Sequence, residues 1–386
     1  MVSCVAQSSR NTDDDMTRVI HWFPIKALVH SRFVLMLAAF LIVLGVIEIQ
    51  VHNLQTSIEL LDKSLHSINS RKLRDSDTSP FPMVPGKGGD DSQELLVIYN
   101  RVPKTGSTSF TGIAYDLCKG NNFNVLHVNT TKSNHTKNDH VNSNYVMSVQ
   151  DQMRYILNAT HWNSRLPAFH HGHFAFIDFA AFGSVRKPMF INIIRRPLDR
   201  LISFYFFVRY GDDFRPSLVR HRMDNKETFD ECVKRKGYDC HPDRLWIQVP
   251  YFCGHAEECW KPGSRWALEQ AKYNMIHRYL LVGVTEELEE FIALLEATLP
   301  SMFKGALNLY RTGKRSHLRK TSRKDHPSEE TLEFFRQNPV WQMEEEFYNF
   351  VLENFHAVKQ RSLGEDNSGR VAALERQFTY EKVRPR

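Results

Sequence analysis

The sequence has no G-x-x-x-x-G-K-[ST] motif, no internal repeat and no tight C-x-x-C pair. The first absence excludes a Walker-type phosphate loop. The second excludes a repeat architecture. The third removes the ligand spacing of zinc ribbons. Excess charge of one sign is also scarce. The formal net charge is +6 over 386 residues, so the distribution of charge matters more than its sum. That length allows one large domain with appendages, or two ordinary domains.

One segment does not belong to a soluble fold. "FVLMLAAFLIVLGVI", Phe33 to Ile47, is uncharged and almost wholly apolar. It is short against the ~20 residues of a full span, and its flanks extend it to a transmembrane anchor over 33–51. A cleaved signal peptide is the rival reading. It needs small residues just after the run, and "GVIEIQVHN" offers a poor site. Arg18, Lys26 and Arg32 precede the run and Glu48 follows it. The positive-inside rule then makes 1–32 a cytosolic tail and the rest lumenal, and a short span suits a thin early-secretory membrane.

The remainder agrees with a lumenal location. Asn129, Asn134 and Asn158 each open a glycosylation sequon. Cys232 lies close to Cys240, and Cys253 close to Cys259. In an oxidising compartment these read as two local disulfides, with a zinc site including His255 as the alternative. Cys118 falls within an apolar helical pattern and reads as a buried free thiol.

Apolar residues at Val51, Leu54, Ile58, Leu61, Leu65 and Ile68 step by three and four, forming a heptad stalk or a lone amphipathic helix. A Pro, Gly and Ser-rich linker completes 52–93, and the globular domain spans 94–386. Strands are expected at Leu95–Tyr99, Asn124–Val128 and Lys187–Ile194, with helices at "SVQDQMRYILNAT" and "PLDRLISFYFFVRY". "RYLLVGVTEELEEFIALLEATL" reads as a strand running into a helix with an acidic first turn. "PSEETLEFFRQ", capped by Ser328, and "PVWQMEEEFYNFVLENF" close the domain as helices. Such alternation predicts an α/β fold, a parallel sheet flanked by helices.

Two strand ends carry the chemistry. "RVPKTGSTSF" joins the first strand to a helix, the arrangement in which backbone N–H groups, Ser and Thr hydroxyls and Lys104 face an anion. "INIIRRPLDRLIS" puts Arg195 at the carboxyl end of a buried strand and Ser203 two turns into the next helix. A surface ion pair with Asp199 is the bland alternative for Arg195. Two such loops suggest a nucleotide with phosphates at both ends.

"PKTGSTSF" followed by "IIRRPLDRLISFY" resembles the paired signatures of PAPS-dependent sulfotransferases. "VLHVNTTK", "HGH", "LWIQVPYFCGHAEECW", "YLLVGVTEELEEFI" and "LYRTGKRSHLRKT" extend the likeness to the heparan sulfate 2-O-sulfotransferase family, from about Leu95 to the C-terminus. The resemblance implies that Lys104, Thr105, Gly106, Ser107 and Thr108 line the 5′-phosphosulfate of PAPS. It implies that Arg195 and Ser203 take the 3′-phosphate, and that Tyr310, Ser316, Thr321 and Lys324 close over the nucleotide. His171 aligns with the catalytic base and His173 with a second active-site histidine. A histidine suits that task, since a sugar hydroxyl needs a positioned proton acceptor as it attacks. His170 stands where the vertebrate enzyme has a tyrosine. Arg101, Tyr115, His127, Arg215, Arg220 and Arg319 correspond to contacts to an acidic polysaccharide, heparan sulfate, and the last three lie in basic runs. A solvated basic face or a nucleic-acid site is the alternative for those runs, and a lumenal location removes nucleic acid as a partner.

The implied protein is a Golgi membrane sulfotransferase acting on uronate 2-O positions, iduronate first, with PAPS as donor and no metal. The stalk and the resemblance both suggest a homo-oligomer, and the resemblance implies a homotrimer in which the tail "FTYEKVRPR" reaches a neighbouring subunit. Dermatan or chondroitin uronyl 2-O-sulfotransferase is the rival enzyme, and a non-catalytic heparan-binding protein the rival of another class. Further features depart from the family pattern: Arg196 replaces the Asp of Arg-Asp-Pro, Val219 and His221 stand in for basic residues, "SNHTKNDHVNSNY" is inserted, and the cytosolic leader is longer than usual.

Overall fold

The computed structural model describes Gly45, Glu48, residues 94–130, 145–212, Arg222, and residues 225–313, 325–366 and 368–374. Contacts divide the chain into Met1–Ser79 and Pro80–Arg386. Of the first unit only Gly45 and Glu48 are described, both helical. Among the described residues no helix is long and apolar enough to cross a membrane. The rest of the expected span over 33–51, the stalk and the C-terminal tail lie outside them.

The second unit is built on a parallel sheet of five strands, β1 (Leu96–Asn100), β2 (Asn124–Val128), β3 (Ala168–Gly172), β4 (Met189–Ile194) and β5 (Tyr279–Val284), in the order β2-β3-β1-β4-β5. β1 is buried at every position, as a central parallel strand covered on both faces requires, and its "LVIYN" is accordingly a continuous apolar run up to Asn100. β2 lies at the edge, where Asn124 and His127 reach solvent.

The helices follow from local chemistry. α1 (Ser107–Leu117) begins after Gly106, and α2 (Val149–His161) is capped by Ser148, whose hydroxyl accepts from Asp151 N–H. α3 (Pro197–Tyr210) opens on a proline, which fits the first helical position. α4 (Phe229–Lys234) and α5 (Gln248–Cys253) are short, and α6 (Arg265–Arg278) runs into β5. α7 (Leu288–Thr298), α8 (Pro300–Phe303) and α9 (Ala306–Thr312) follow. α10 (Glu329–Arg336), capped by Ser328 as expected, leads to α11 (Pro339–Ser362) and a small antiparallel hairpin, β6 (Leu363–Glu365) with β7 (Val371–Ala373).

Phe110 fastens α1 to this frame. Its ring meets Tyr99 of β1 at 5.2 Å, Phe169 of β3 at 6.0 Å, Phe291 of α7 at 5.5 Å and Phe303 of α8 at 5.9 Å. Burying one such side chain stabilises the fold by about 1.5–3 kcal/mol. The helix that follows the phosphate-type loop is thus fixed relative to four other elements.

β1 connects through α1 to the far edge, and β3 returns across β1 to reach β4. The connections therefore diverge on either side of β1, and its carboxyl end and that of β4 lie side by side where the strand order reverses. Open α/β sheets bind ligands at such a point.

The structure corrects three readings. "AFHHG" is a full strand, β3, although its histidines hide the apolar pattern. Cys118 ends α1 half-exposed rather than buried, its thiol 3.2 Å from Tyr115 O. Arg265–Arg278 is a helix and 363–373 contains a hairpin, neither expected from periodicity. The cysteine pairs are disulfides, Cys232–Cys240 and Cys253–Cys259, so their sulfurs are not zinc ligands.

Candidate active site

The loop after β1 is shaped by two left-handed residues. Gly106 has φ +74° and serves as the N-cap of α1, and Lys104 has φ +68°. The first suits glycine. The second is uncommon for a residue with a side chain, and such backbones persist where the surroundings over-determine them. Gly106 has no side chain to cap the helix, and the first turn holds no acidic residue. The leading N–H groups of α1 therefore present a positive pole suited to an anion. Thr105 is buried and donates to Val102 O at 3.0 Å, which holds the turn closed. Ser107 is nearly buried beside the half-buried Thr108. Lys104 Nζ sits 4.1 Å from the centre of the Phe207 ring on α3, and that cation–π contact steadies the charge near the loop.

β4 ends beside this loop. Arg195 Nη1 donates to Lys104 O at 3.3 Å, so its side chain turns toward the loop. Ser203 is buried on α3. Tyr310 lies half-buried on α9, where burial and then Glu289 and Glu290 push its hydroxyl pKa up. Ser316, Thr321 and Lys324 lie outside the described residues, as do Arg215, Arg220 and Arg319.

The histidines gather at the other side of the same sheet edge. His127 of β2 pairs in register with His171 of β3. Parallel register puts both side chains on one face, and the rings stack at 4.9 Å with planes 14° apart. Tyr115, half-exposed on α1, brings its hydroxyl to 3.0 Å from His171 Nε2. Arg101 Nη2 is 3.3 Å from His127 Nε2. His173 Nδ1 lies 2.8 Å from Arg101 O, and Arg101 N–H donates to Gly172 O at 2.9 Å, which ties the ends of β1 and β3 together. One residue earlier the strand faces the other way. His170 Nδ1 is hydrogen-bonded to Tyr155 OH of α2 at 3.0 Å, away from this cluster.

Burial holds the His171 pKa down to about 2, helped by Arg101, His127 and His173. Burial, then Arg101, lowers His127 as well, and burial alone brings His170 to about 4. All three imidazoles are neutral at physiological pH and can accept a proton. Nδ1 of His171 is buried without a hydrogen-bond partner, so Nε2, beside Tyr115, is the nitrogen open to the site.

The structure thus gathers Arg101, Lys104, Tyr115, His127, His171, His173 and Arg195 along one sheet edge. Sequence reading missed Phe207 and Gln248, which touch Lys104 and Arg195, because an apolar helix residue and a lone glutamine carry no signal of their own. A separate groove of about 650 Å³ between α6 and α11, lined by Trp266, Tyr273 and Phe350 among others, includes none of these residues.

A sheet with an open helix N-terminus at its switch point, and a neutral histidine farther along the same edge, defines an enzyme that moves an anionic group. The chain belongs to the sulfotransferase family, whose model matches residues 91–351, and it is a sulfotransferase enzyme. Among curated proteins it is similar to heparan sulfate 2-O-sulfotransferase 1 of Homo sapiens, 48% identical over 352 residues that cover 91% of this chain and 96% of the relative. The Gallus gallus protein of that name is 50% identical over 340 residues, 88% of this chain and 92% of its own. The heparin sulfate O-sulfotransferase of Drosophila melanogaster is 48% identical over 297 residues, 77% of this chain and 81% of its own. The family implies PAPS as the sulfuryl donor.

Proposed function

We propose that the chain transfers a sulfuryl group from PAPS to the 2-O position of uronic acid, mainly iduronate, in heparan sulfate. The observation that carries the reading is the common edge: His171, flanked by Tyr115 and His127, on the sheet edge that also bears the uncapped N-terminus of α1, Lys104 and Arg195. A non-catalytic polysaccharide binder needs neither an anion-binding helix end nor a shielded neutral imidazole. The names of the relatives favour heparan over dermatan as acceptor.

The residues fit the donor. The N–H groups opening α1, with Lys104, Thr105, Gly106, Ser107 and Thr108, hold its 5′-phosphosulfate, and Arg195 with Ser203 holds its 3′-phosphate. Tyr310, Ser316, Thr321 and Lys324 complete the nucleotide site. When bound, PAPS supplies an electrophilic sulfur and a phosphate leaving group. Lys104 and the helix N–H groups stabilise the negative charge that the leaving phosphate acquires as the S–O bond to it breaks. Arg101, Tyr115, His127, Arg215, Arg220 and Arg319 orient the acidic polysaccharide by charge-assisted hydrogen bonds. His171 Nε2 accepts the hydroxyl proton as that oxygen bonds to sulfur, and Tyr115 OH occupies the hydrogen-bonding place that the sugar hydroxyl takes. In the free protein the base is weak because burial and Arg101 disfavour its cation. Carboxylate and sulfate groups of the substrates reverse that field, so basicity rises when it is needed. His173, held by Arg101 O, keeps the strand ends in place.

The same reading makes 33–51 an uncleaved Golgi membrane anchor, with the catalytic domain lumenal and the chain a homotrimer. The exposed Asn129 and Asn158, and the two disulfides, support a lumenal location.

The test is incubation of the full chain with labelled PAPS and separate desulfated heparan and dermatan acceptors, followed by disaccharide mapping. Label at the 2-O position of iduronate in heparan is expected. Label mainly in dermatan, or none in either, overturns the assignment.

A further inference from the structure

Gln248 carries no assigned role, yet it is fully buried and its side chain bonds to the main chain beside the donor site. Its Oε1 accepts from Arg195 N–H at 2.8 Å, and its Nε2 donates to Arg195 O at 2.9 Å. A carboxamide offers one acceptor and one donor in a plane, matching the N–H and C=O of a single extended residue. β4 has by then left its ladder with β1, whose last register pair is Tyr99 with Ile191. The amide therefore takes the place of a neighbouring strand for the one residue that turns its guanidinium toward Lys104 O.

Gln248 is itself held. Glu344 of α11 is buried and accepts from Ile247 N–H at 2.9 Å and Val249 N–H at 3.1 Å through one oxygen, and from Gln248 Nε2 at 3.3 Å through the other. Arg200, nearly buried on α3, faces this carboxyl, and its own Nη2 is bound to Arg244 O at 2.9 Å. The carboxyl so fixes the start of α5 and the rotamer of Gln248. Burying a carboxyl costs stability unless its lone pairs are used, and here three donors use them.

We propose that Gln248, locked by Glu344, is a positioning residue of the donor site: it holds the Arg195 backbone in the one conformation that directs its guanidinium to the 3′-phosphate. The proposal rests on the reading of Arg195 as a phosphate ligand.

Adenosine 3′,5′-bisphosphate binding to the full chain, measured by calorimetry, tests it, with kcat and KM for PAPS measured alongside. Arg195→Ala examines the underlying reading and should weaken the bisphosphate at least tenfold. Gln248→Met removes both hydrogen bonds at similar volume. It should also weaken the bisphosphate about tenfold and raise KM for PAPS, with kcat at saturation little changed. Arg195→Ala/Gln248→Met should lose no more than Arg195→Ala alone, because the glutamine acts only through that arginine. Gln248→Glu supplies a readout that a merely structural role would not move. As a carboxylate it has no donor for Arg195 O, whereas the neutral acid restores one donor and one acceptor. Its affinity relative to the parent chain at the same pH should therefore recover as pH falls. If Arg195→Ala leaves binding intact, the reading of Arg195 fails and the proposal with it. If Arg195→Ala weakens binding while Gln248→Met does not, or if the double variant loses the product of both effects, the positioning role alone is overturned. Should Gln248→Met not fold, Gln248→Glu decides: a pH-independent ratio refutes the proposal and a recovering ratio supports it.

Discussion

His170 and His171 are adjacent in sequence and face opposite sides of the sheet because a strand turns successive side chains to opposite faces. His171 meets Tyr115 and His127 at the open edge, and His170 meets Tyr155 under α2. His171→Ala should therefore lower turnover by roughly 10²–10⁴, the usual worth of a general base, with bisphosphate affinity unchanged. His170→Ala should keep substantial activity. Steady-state kinetics with a binding measurement checks both, and normal turnover by His171→Ala would remove it as the base. The same burial has a cost in acid. His170 and His255 titrate near 4 in the folded chain against 6.5 for an ordinary histidine, and burial is the main cause for each. The unfolded chain then binds more protons between those values, so stability is full above pH 6.5 and falls as pH drops toward 4. One such group contributes roughly 3 kcal/mol over that window. Glu344 runs the other way. Burial raises it to about 7, so its contribution is full below about 4.5 and is lost as pH rises through 7. Thermal melts should show an acid limb that His170→Tyr makes shallower. An unchanged limb would mean that His170 is not kept neutral by its surroundings.

At the scale of elements, the site depends on how closely β2 and β3 approach. A Cβ built on Gly172 would lie 2.4 Å from Val128 O and 2.9 Å from the Phe174 ring. Val128 is backbone of the neighbouring strand, so it cannot swing aside. Gly172→Ala must pry the strands apart next to the His127–His171 stack. Overpacking of this kind costs about 1–3 kcal/mol. Displacing a base by ~1 Å can cost about 10²-fold in rate. Gly172→Ala should therefore melt lower and turn over far more slowly, while bisphosphate binding at the α1 end is largely kept. Calorimetry and kinetics on one preparation test this, and equal losses of binding and turnover would point to general unfolding instead.

For the whole molecule, the proposed topology makes a physical prediction. It puts the basic residues before 33–51 in the cytosol and the sequon-bearing C-terminal domain in the lumen. In sealed microsomes that domain should resist added protease, and the exposed Asn129 and Asn158 should carry glycans. A C-terminus digested without detergent would sink the localisation. Asn134, in the inserted segment, lies outside the described residues.

Much of the frame was legible because its signals are local. Apolar runs marked β1, β2, β4 and β5, with bounds differing by a residue or two, and Ser328 and Pro197 marked helix starts through capping and fixed φ. The phosphate-type loop was legible too, since "PKTGSTS" carries its donors within a few residues. β3 was not, because its two histidines interrupt the apolar pattern that announces a strand. Nor was the Gln248 to Arg195 pairing, which joins residues 53 apart, or the Glu344 bonds to Ile247 and Val249, 97 and 95 apart. The sequence by itself determined four of the five strands of the main sheet, several helix starts and the donor-rich loop after β1, since these depend on neighbours along the chain. Only the tertiary structure decided which histidine faces the site, how neutral it is and what steadies Arg195. Those follow from strand register, burial and contacts across the sheet, which no local pattern records.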